Sequence, residues 1–240
     1  ERKSIGPIAE RVAPGEQDQL NHFVNVASWE TAPLEEILLQ KADALVGGLD
    51  AFLIIDDTAL VKKGEASVGV AHQYCGELGK QANCQALVSL TLARGEVPVP
   101  LALRLFLPEA WANDAARREK CGVPEGLVFK KKWEIALEEI DRVCARGGRF
   151  GPVLADVGYG HCGAFRAGLR ERDLRYSVGV NPKLRVYPAG VTLGQGGRKP
   201  AMGRPPKHPL PSVEAQNACD FVAALGKRAF RTIAWRQGTK

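Results

Sequence analysis

The chain has 240 residues, of which 45% are hydrophobic and 25% are charged, and its formal net charge at pH 7 is +6. This length is enough for one large domain or two small ones with a sizeable core, so folding needs no metal or disulfide. The charge excess does not mark a nucleic-acid-binding protein unless it is concentrated in one region. No stretch approaches the roughly 20 consecutive apolar residues of a membrane span, and no cleavable signal is visible. These features predict a soluble, intracellular protein without a membrane partner.

Residues 1–49 show the apolar spacing of helices. The clearest helix is predicted to begin with Thr31 as its N-cap and to end at the pair Gly47-Gly48. The apolar residues that recur at intervals of three and four, and are expected to face a core, are Leu20, Phe23, Val24, Leu34, Ile37, Leu38, Ala42 and Leu45. We interpret this segment as a helical packing subdomain, with DNA contacts as the alternative role.

Two apolar runs end in acid. The run Phe52-Leu53-Ile54-Ile55 stops at the adjacent residues Asp56 and Asp57, and Pro152-Val153-Leu154-Ala155 stops at Asp156. Each run is typical of a buried strand that delivers a carboxylate to a sheet edge. The acids meet only if the strands are neighbours in one sheet, where facing carboxylates repel unless a cation lies between them. The expected cation is Mg²⁺ or Mn²⁺, because hard ions prefer carboxylate oxygens.

The intervening and following residues predict a mixed sheet with helices. The predicted strands lie at residues 67–70, 86–92, 98–106 and 175–180. The predicted helices lie at residues 133–144, where Trp133, Leu137, Ile140 and Cys144 form the stripe, and at residues 161–172. Residues 108–131 are expected to form a surface loop with one short helix. A meander followed by alternating helix and strand predicts an α/β fold with both acids at the carboxyl ends of strands.

The basic residues are concentrated late in the chain. Residues 174–212 contain no Asp or Glu and are rich in Gly and Pro. A segment of this composition does not pack a core of its own but can follow a phosphate backbone. We therefore predict a basic Gly/Pro-rich insertion at residues 183–212 that contacts DNA, with a solvated linker as the alternative. The expected DNA contacts in it are Arg198, Lys199, Arg204 and Lys207.

Several motifs, taken in order, resemble bacterial insertion-sequence transposases of the DDE type. The motifs that match the opening of their catalytic domain are Ile54–Thr58, Lys62-Lys63-Gly64, Ser67–Val70, Gln73–Gly76 and Gly79–Gln85. Their second acidic motif resembles Leu154–Gly160, and the match covers essentially the whole chain. The resemblance implies an RNase H-like fold, two divalent ions, Mg²⁺ or Mn²⁺, and cleavage and rejoining of DNA at transposon ends.

The resemblance also assigns residues. The first catalytic acid and metal ligand of the family matches Asp57, which directly precedes Thr58, and Asp56 is the second choice. Because side chains alternate along a strand, these two acids should point to opposite faces and not bind one ion together. The second acid and metal ligand matches Asp156, beside which glycines at 158 and 160 would let the backbone turn closely. The DNA contacts are expected to include Lys62 and Lys63.

The third acid of the family, a Glu on a late helix, has no counterpart. After Asp156 the only glutamates are Glu171 and Glu214, and neither lies in the family's motif. We interpret Glu171 as a solvated residue and Glu214 as a first-turn helix residue. The chain is then a fragment that lacks the catalytic Glu and is inactive by itself. The alternatives are a non-catalytic DNA-binding remnant and another RNase H-like nuclease.

The expected organisation has four segments. They are a helical segment at 1–49, an RNase H-like core with both Asp motifs at 50–182, the basic insertion at 183–212 and the incomplete start of a C-terminal part at 213–240. The resemblance implies that the partners are terminal inverted repeats, target DNA and a second copy of the chain assembled on DNA. It also implies a bacterial cytoplasmic, nucleoid-associated protein.

Overall fold

A six-stranded mixed sheet forms the centre of the structure, a computed structural model that describes residues 4–27, 30–194 and 208–231. Its strands are β1 (Phe52–Val61), β2 (Ala71–Cys75), β3 (Lys80–Arg94), β4 (Val97–Leu105), β5 (Val153–Ala155) and β6 (Tyr176–Val178). Strand β3 pairs antiparallel with β1, β2 and β4, whereas β5 pairs parallel with β1 and β6. This arrangement confirms the predicted α/β fold class, a mixed sheet flanked by helices.

One face of the sheet is buried. In β3 every second residue from Cys84 to Leu92 is buried, as the two-residue period of a strand requires. Leu53 and Ile55 of β1 lie opposite Leu92 and Leu90 in the register, so their side chains join the same face. These residues belong to the main hydrophobic core together with Val153 of β5.

Helices pack on this face. The helices are α1 (Ile5–Val12), α2 (Gln17–Asn25), α3 (Thr31–Val46), α4 (Glu109–Ala112), α5 (Ala115–Lys120), α6 (Lys132–Ala145), α7 (Val157–Gly160), α8 (Gly163–Glu171) and α9 (Ala218–Ala224). Helices α3, α6 and α8 contribute buried residues to the main core, among them Leu39, Ile140 and Phe165. Within the described ranges, no helix is long and apolar enough to cross a membrane.

The face of helix α3 that is buried differs from the one predicted from the spacing of its apolar residues. Leu39, Ala42 and Val46 are buried, of which only Ala42 was expected. Exposed side chains include the expected core residues Phe23, Val24, Leu34, Ile37, Leu38 and Leu45. The N-cap is Glu30, and Thr31 is the first helical residue. Because α3 is apolar around much of its circumference, contacts with β3 and β4 decide which edge is buried.

Two strand predictions are corrected. Strand β1 does not end at the acids but continues through them to Val61, because its antiparallel ladder with β3 extends as far as the pair Val61 and Cys84. The strand expected at residues 67–70 lies instead at Ala71–Cys75. Residues 67–70 form a turn in which the Val70 amide donates to the Ser67 carbonyl at 3.0 Å.

The predicted surface loop at residues 108–131 holds α4, α5 and a small second core. Trp111 is buried, and its Nε1 donates to the Val70 carbonyl at 2.7 Å. Leu107 and Val123 pack against it, and the Arg117 guanidinium stacks 3.6 Å above its ring. The large apolar area of a tryptophan is enough to organise such a segment. The predicted surface loop with one short helix therefore contains two short helices and a buried tryptophan.

The described ends of the predicted basic insertion are paired. The short strands are β7 (Arg185–Val186), β8 (Leu193–Gly194), β9 (Leu210–Pro211) and β10 (Gln216–Asn217). Strand β7 pairs with β10 and β8 pairs with β9. Glu214 lies in the loop before β10 and not in a first helical turn, since α9 begins at Ala218. The predicted DNA contacts Arg198, Lys199, Arg204 and Lys207 lie outside the described residues.

Candidate metal-dependent active site

Both candidate acids face one cleft beside the parallel strands β1 and β5. Leu53–Ile55 of β1 pairs with Val153–Ala155 of β5. Because the two strands are parallel, both lead to their acidic residues at the same edge of the sheet. The cleft has a volume of about 280 Å³ and is lined by Asp57, Lys132, Trp133, Asp156, Gly158 and Tyr159. The structure thus brings Asp57 and Asp156 together.

Asp57 is held on the core face of β1. It shares this face with Leu53 and Ile55 because side chains alternate along a strand. The Tyr159 hydroxyl donates to Asp57 Oδ1 at 2.6 Å, and Lys132 Nζ donates to Asp57 Oδ2 at 2.5 Å. Each carboxylate oxygen of Asp57 therefore has a donor, which fixes the plane of the group.

Asp56 points to the other face of the sheet, as the alternation predicted. Its carboxylate Oδ1 accepts a hydrogen bond from the Asp57 amide at 2.8 Å, and its carbonyl oxygen accepts one from Ser89 Oγ at 2.8 Å. Asp56 is not among the described residues that line the cleft. The geometry favours Asp57 over Asp56 as the residue that acts with Asp156.

Asp156 caps the short helix α7. Its Oδ1 accepts hydrogen bonds from the amides of Gly158 at 2.9 Å and Tyr159 at 3.3 Å. An acidic N-cap is favoured because it satisfies amides that have no partner within the helix. Both bonds use Oδ1, so within the described part of the site Oδ2 is the oxygen left to accept a cation.

Tyr159 is a site residue that the sequence analysis missed. The residue is 4% exposed, and the centre of its ring lies 5.5 Å from the centre of the Phe165 ring. Burial raises the pKa of Tyr159 well above its ordinary value, and the adjacent Asp57 carboxylate raises it further. The phenol therefore stays protonated and donates to Asp57. The signal in the sequence was its position three residues after Asp156, one helical turn away.

Glycine is required where α7 passes the end of β6. A Cβ atom at Gly160 would overlap the carbonyl oxygen of Gly179. At Gly158 a Cβ atom would lie 3.1 Å from Asp156 Oδ1, closer than most such contacts. The predicted close backbone approach is present, and at Gly160 the neighbour is Gly179 and not Asp156.

The other candidate residues lie elsewhere. Lys62 and Lys63 follow the end of β1, with Lys62 half-buried and Lys63 exposed. Glu171 is exposed at the end of α8, and neither it nor Glu214 lines the cleft of Asp57 and Asp156. In residues 4–27, 30–194 and 208–231, no three His, Cys, Asp or Glu side chains form a group able to hold a metal. The described site therefore has two acids.

Comparison with known proteins identifies the family. A family model described as DDE superfamily endonuclease matches residues 1–240. The chain therefore belongs to this family, which confirms the family predicted from the motifs. A probable transposase for insertion sequence element IS701 from Microchaete diplosiphon is 31% identical over 180 residues, which are 75% of this chain and 44% of that protein. The chain thus spans less than half the length of this relative.

One solved structure is also similar in part. The Drosophila P element transposase strand transfer complex is 10% identical, and the match covers 74% of this chain and 41% of that one. Its TM-score is 0.26, which is too low to bear on the fold or the function of this chain.

Proposed function

We propose that this chain carries the first two acids of a DNA transposase that cleaves and rejoins DNA at the ends of an insertion sequence. The observation that carries the proposal is the convergence of Asp57 and Asp156 on one cleft from neighbouring parallel strands. Membership of the DDE superfamily endonucleases and similarity to a probable transposase favour transposition over another nuclease activity. The proposed partners are terminal repeats, target DNA and a second copy of the chain.

The residues present fit a hard divalent cation, Mg²⁺ or Mn²⁺. Asp57 and Asp156 offer carboxylate oxygens, which such ions prefer. Lys132 Nζ lies 2.5 Å from Asp57 Oδ2, so the cleft accommodates positive charge against this carboxylate. A bound divalent ion would activate the attacking water or 3′-hydroxyl and stabilise charge on the phosphate.

The chain's own residues hold the two carboxylates in place. The Tyr159 hydroxyl fixes Asp57, and the amides at the start of α7 fix Asp156. Such positioning matters because a misplacement of about 1 Å can cost on the order of a hundredfold in rate. We propose that Asp57 and Asp156 are the acids that act in cleavage.

We propose that the third catalytic acid expected from the family, a Glu, lies outside these 240 residues. Two observations support this: no third acid joins the cleft in the described ranges, and the chain covers 44% of its relative. A chain with two of three acids would not perform strand transfer by itself. The same observations favour a second candidate, a DNA-binding remnant without catalytic activity.

A cleavage assay separates these candidates. We expect the complete gene product to nick insertion-sequence ends with Mg²⁺ and to lose this activity with a chelator, whereas the 240-residue chain should bind the same DNA without strand transfer. Robust Mg²⁺-dependent nicking by the 240-residue chain would place the third acid within it, with Glu171 or Glu214 as the candidate. A complete product that binds but does not cleave would favour the remnant.

Salt titration tests the proposed DNA contacts. Each phosphate contact releases a counterion, so binding affinity should fall with salt at a log-log slope of roughly 0.9 per contact. Replacing Arg198, Lys199, Arg204 and Lys207 together with Ala should flatten the slope by about 3 to 4. The double change of Lys62 and Lys63 to Ala should flatten it by roughly 2 on the same basis. A slope that matches the wild type would assign the replaced residues to a solvated surface.

A further inference from the structure

We propose that Lys132 is a placeholder cation, which holds Asp57 in the metal-free protein and leaves it when a divalent ion binds. The inference rests on the proposed metal site. Its basis is the pair between Lys132 Nζ and Asp57 Oδ2, which are 2.5 Å apart, with 29% of the lysine side chain and 37% of the aspartate side chain exposed. The ammonium therefore contacts the Asp57 oxygen that does not accept from Tyr159.

The position of Lys132 in its helix runs against local preference. It is the first residue of α6, and a helix N-terminus carries partial positive charge that disfavours a cation. Lys130 and Lys131 precede it directly, which adds like charge. Lys130 pairs with Glu138 on the surface at 2.7 Å, whereas Lys132 reaches into the cleft. Glu134 in the first turn offsets part of this charge, and Asp57 is the carboxylate that pairs with Lys132 itself.

The two donors to Asp57 differ in their freedom to leave. Tyr159 is buried in the main core, so moving its hydroxyl away from Oδ1 would disturb packing against Phe165. The Lys132 side chain is 29% exposed, and on its long stem the ammonium can rotate into solvent if it gives up its contact with the Phe106 ring, whose centre is 5.3 Å away. Tyr159 is therefore the fixed donor and Lys132 the exchangeable one.

The charge of the cleft explains why a placeholder is useful. Of the described residues that line it, Lys132 alone is cationic, whereas Asp57 and Asp156 are both acidic. Without a cation these two carboxylates repel each other. Lys132 offsets this repulsion while the metal is absent, and for the same reason it competes with the metal. Removing its charge should strengthen metal binding.

Metal affinity gives a direct test, using Mn²⁺ as the probe and the 240-residue chain. Lys132→Met keeps the length and the apolar stem of the side chain but removes the ammonium. We expect it to bind Mn²⁺ about tenfold more tightly than the wild type in calorimetric or electron paramagnetic resonance titrations. The control Lys131→Met removes the same charge from the adjacent exposed residue and should change affinity by less than about twofold. Equal affinities for Lys132→Met and wild type, or equal gains in both lysine variants, would overturn the inference.

Two further variants separate this inference from the proposed function. Asp57→Asn and Asp156→Asn should each abolish Mn²⁺ binding at the site if the proposed function is right. Binding that these variants leave unchanged would overturn the metal site, and the role of Lys132 with it. Loss of binding in both, with Lys132→Met unchanged from wild type, would overturn the role of Lys132 alone. Thermal unfolding of each variant confirms that the fold is retained.

Nuclear magnetic resonance of the lysine ammonium groups gives a readout that does not depend on a variant's affinity. The Lys132 signal is identified by its absence from Lys132→Met. Saturating Mg²⁺ should shift this signal as the pair with Asp57 breaks, while the signal of Lys130, which pairs with Glu138, stays in place. A Lys132 signal that Mg²⁺ does not move would contradict displacement.

Discussion

On the proposed function, replacing Asp57 or Asp156 with Asn is expected to lower DNA cleavage by the complete gene product at least about 10³-fold. Each substitution keeps the size of the side chain but removes the charge that holds a divalent cation. DNA binding should change by less than about twofold, because the carboxylates would touch phosphate only through the cation and other contacts position the DNA. Single-turnover cleavage and a gel-shift titration on the same duplex measure the two effects.

Asp56→Asn is the matched control for this experiment. Asp56 is adjacent to Asp57 and carries the same charge, but its side chain lies on the opposite face of β1 and accepts from the Asp57 amide. Its replacement should leave cleavage close to the wild-type rate. Cleavage at the wild-type rate by Asp57→Asn or Asp156→Asn would reject the assignment of that acid. A loss confined to Asp56→Asn would transfer the role of first acid to Asp56.

The strands that carry the two acids could be predicted from the sequence because the causes are local. An apolar run that ends in acid identifies a buried strand, and two such strands bring their acids together only as neighbours. The sequence did not determine that pairing; the structure meets the condition through the parallel pairing of β1 with β5. The alternation that separates Asp56 from Asp57 follows from strand geometry alone. The mixed sheet followed in the same way from the order of strands and helices.

Three other features of the fold and the site depend on contacts between distant segments and could not be predicted from the sequence. Lys132 is a solvated residue by its local sequence, and only the packing of α6 on the sheet brings it to Asp57. The spacing of α3 did not determine its buried edge, because packing selects among several apolar residues. Strand β1 extends beyond the acids because β3 supplies a long partner, which the composition of β1 did not indicate.

Replacing Arg104 with Met is expected to lower the free energy of unfolding by about 2 to 3 kcal/mol. This loss is somewhat smaller than the loss from removing one partner of a fully buried ion pair, because Arg104 is partly exposed. Arg104 on β4 donates to Glu35 of α3 at 2.6 and 2.5 Å and to Glu139 of α6 at 2.6 Å. The side chains are 30%, 20% and 11% exposed for Arg104, Glu35 and Glu139. Methionine would leave two partly buried carboxylates with Arg142 as their remaining close cation, 2.8 Å from Glu139 and 3.7 Å from Glu35.

The loss of unfolding free energy in Arg104→Met should depend on pH. The hydrogen bond from Arg104 lowers the pKa of Glu35 below its ordinary value of 4.5, against the opposing effect of burial. A carboxyl with a lowered pKa in the folded state contributes stability above its unfolded pKa, and this contribution is lost as pH falls through the folded pKa. The difference between wild type and Arg104→Met should thus be complete near pH 7 and shrink below about pH 4.5.

Urea unfolding at pH 7 and at pH 3 measures both effects, with Arg149→Met as the control. Arg149 also pairs with a carboxylate, that of Asp43 at 3.0 Å, but its side chain is 63% exposed. The Asp43 side chain is 19% exposed, but it keeps the Arg149 amide as a donor at 2.7 Å and the arginine end is solvated, so the control should lose about 1 kcal/mol or less. If Arg104→Met loses no more stability than Arg149→Met at pH 7, the network does not hold α3 and α6 to the sheet. A loss that is equally large at pH 3 would show that packing of the arginine stem, and not its charge, provides the stabilisation.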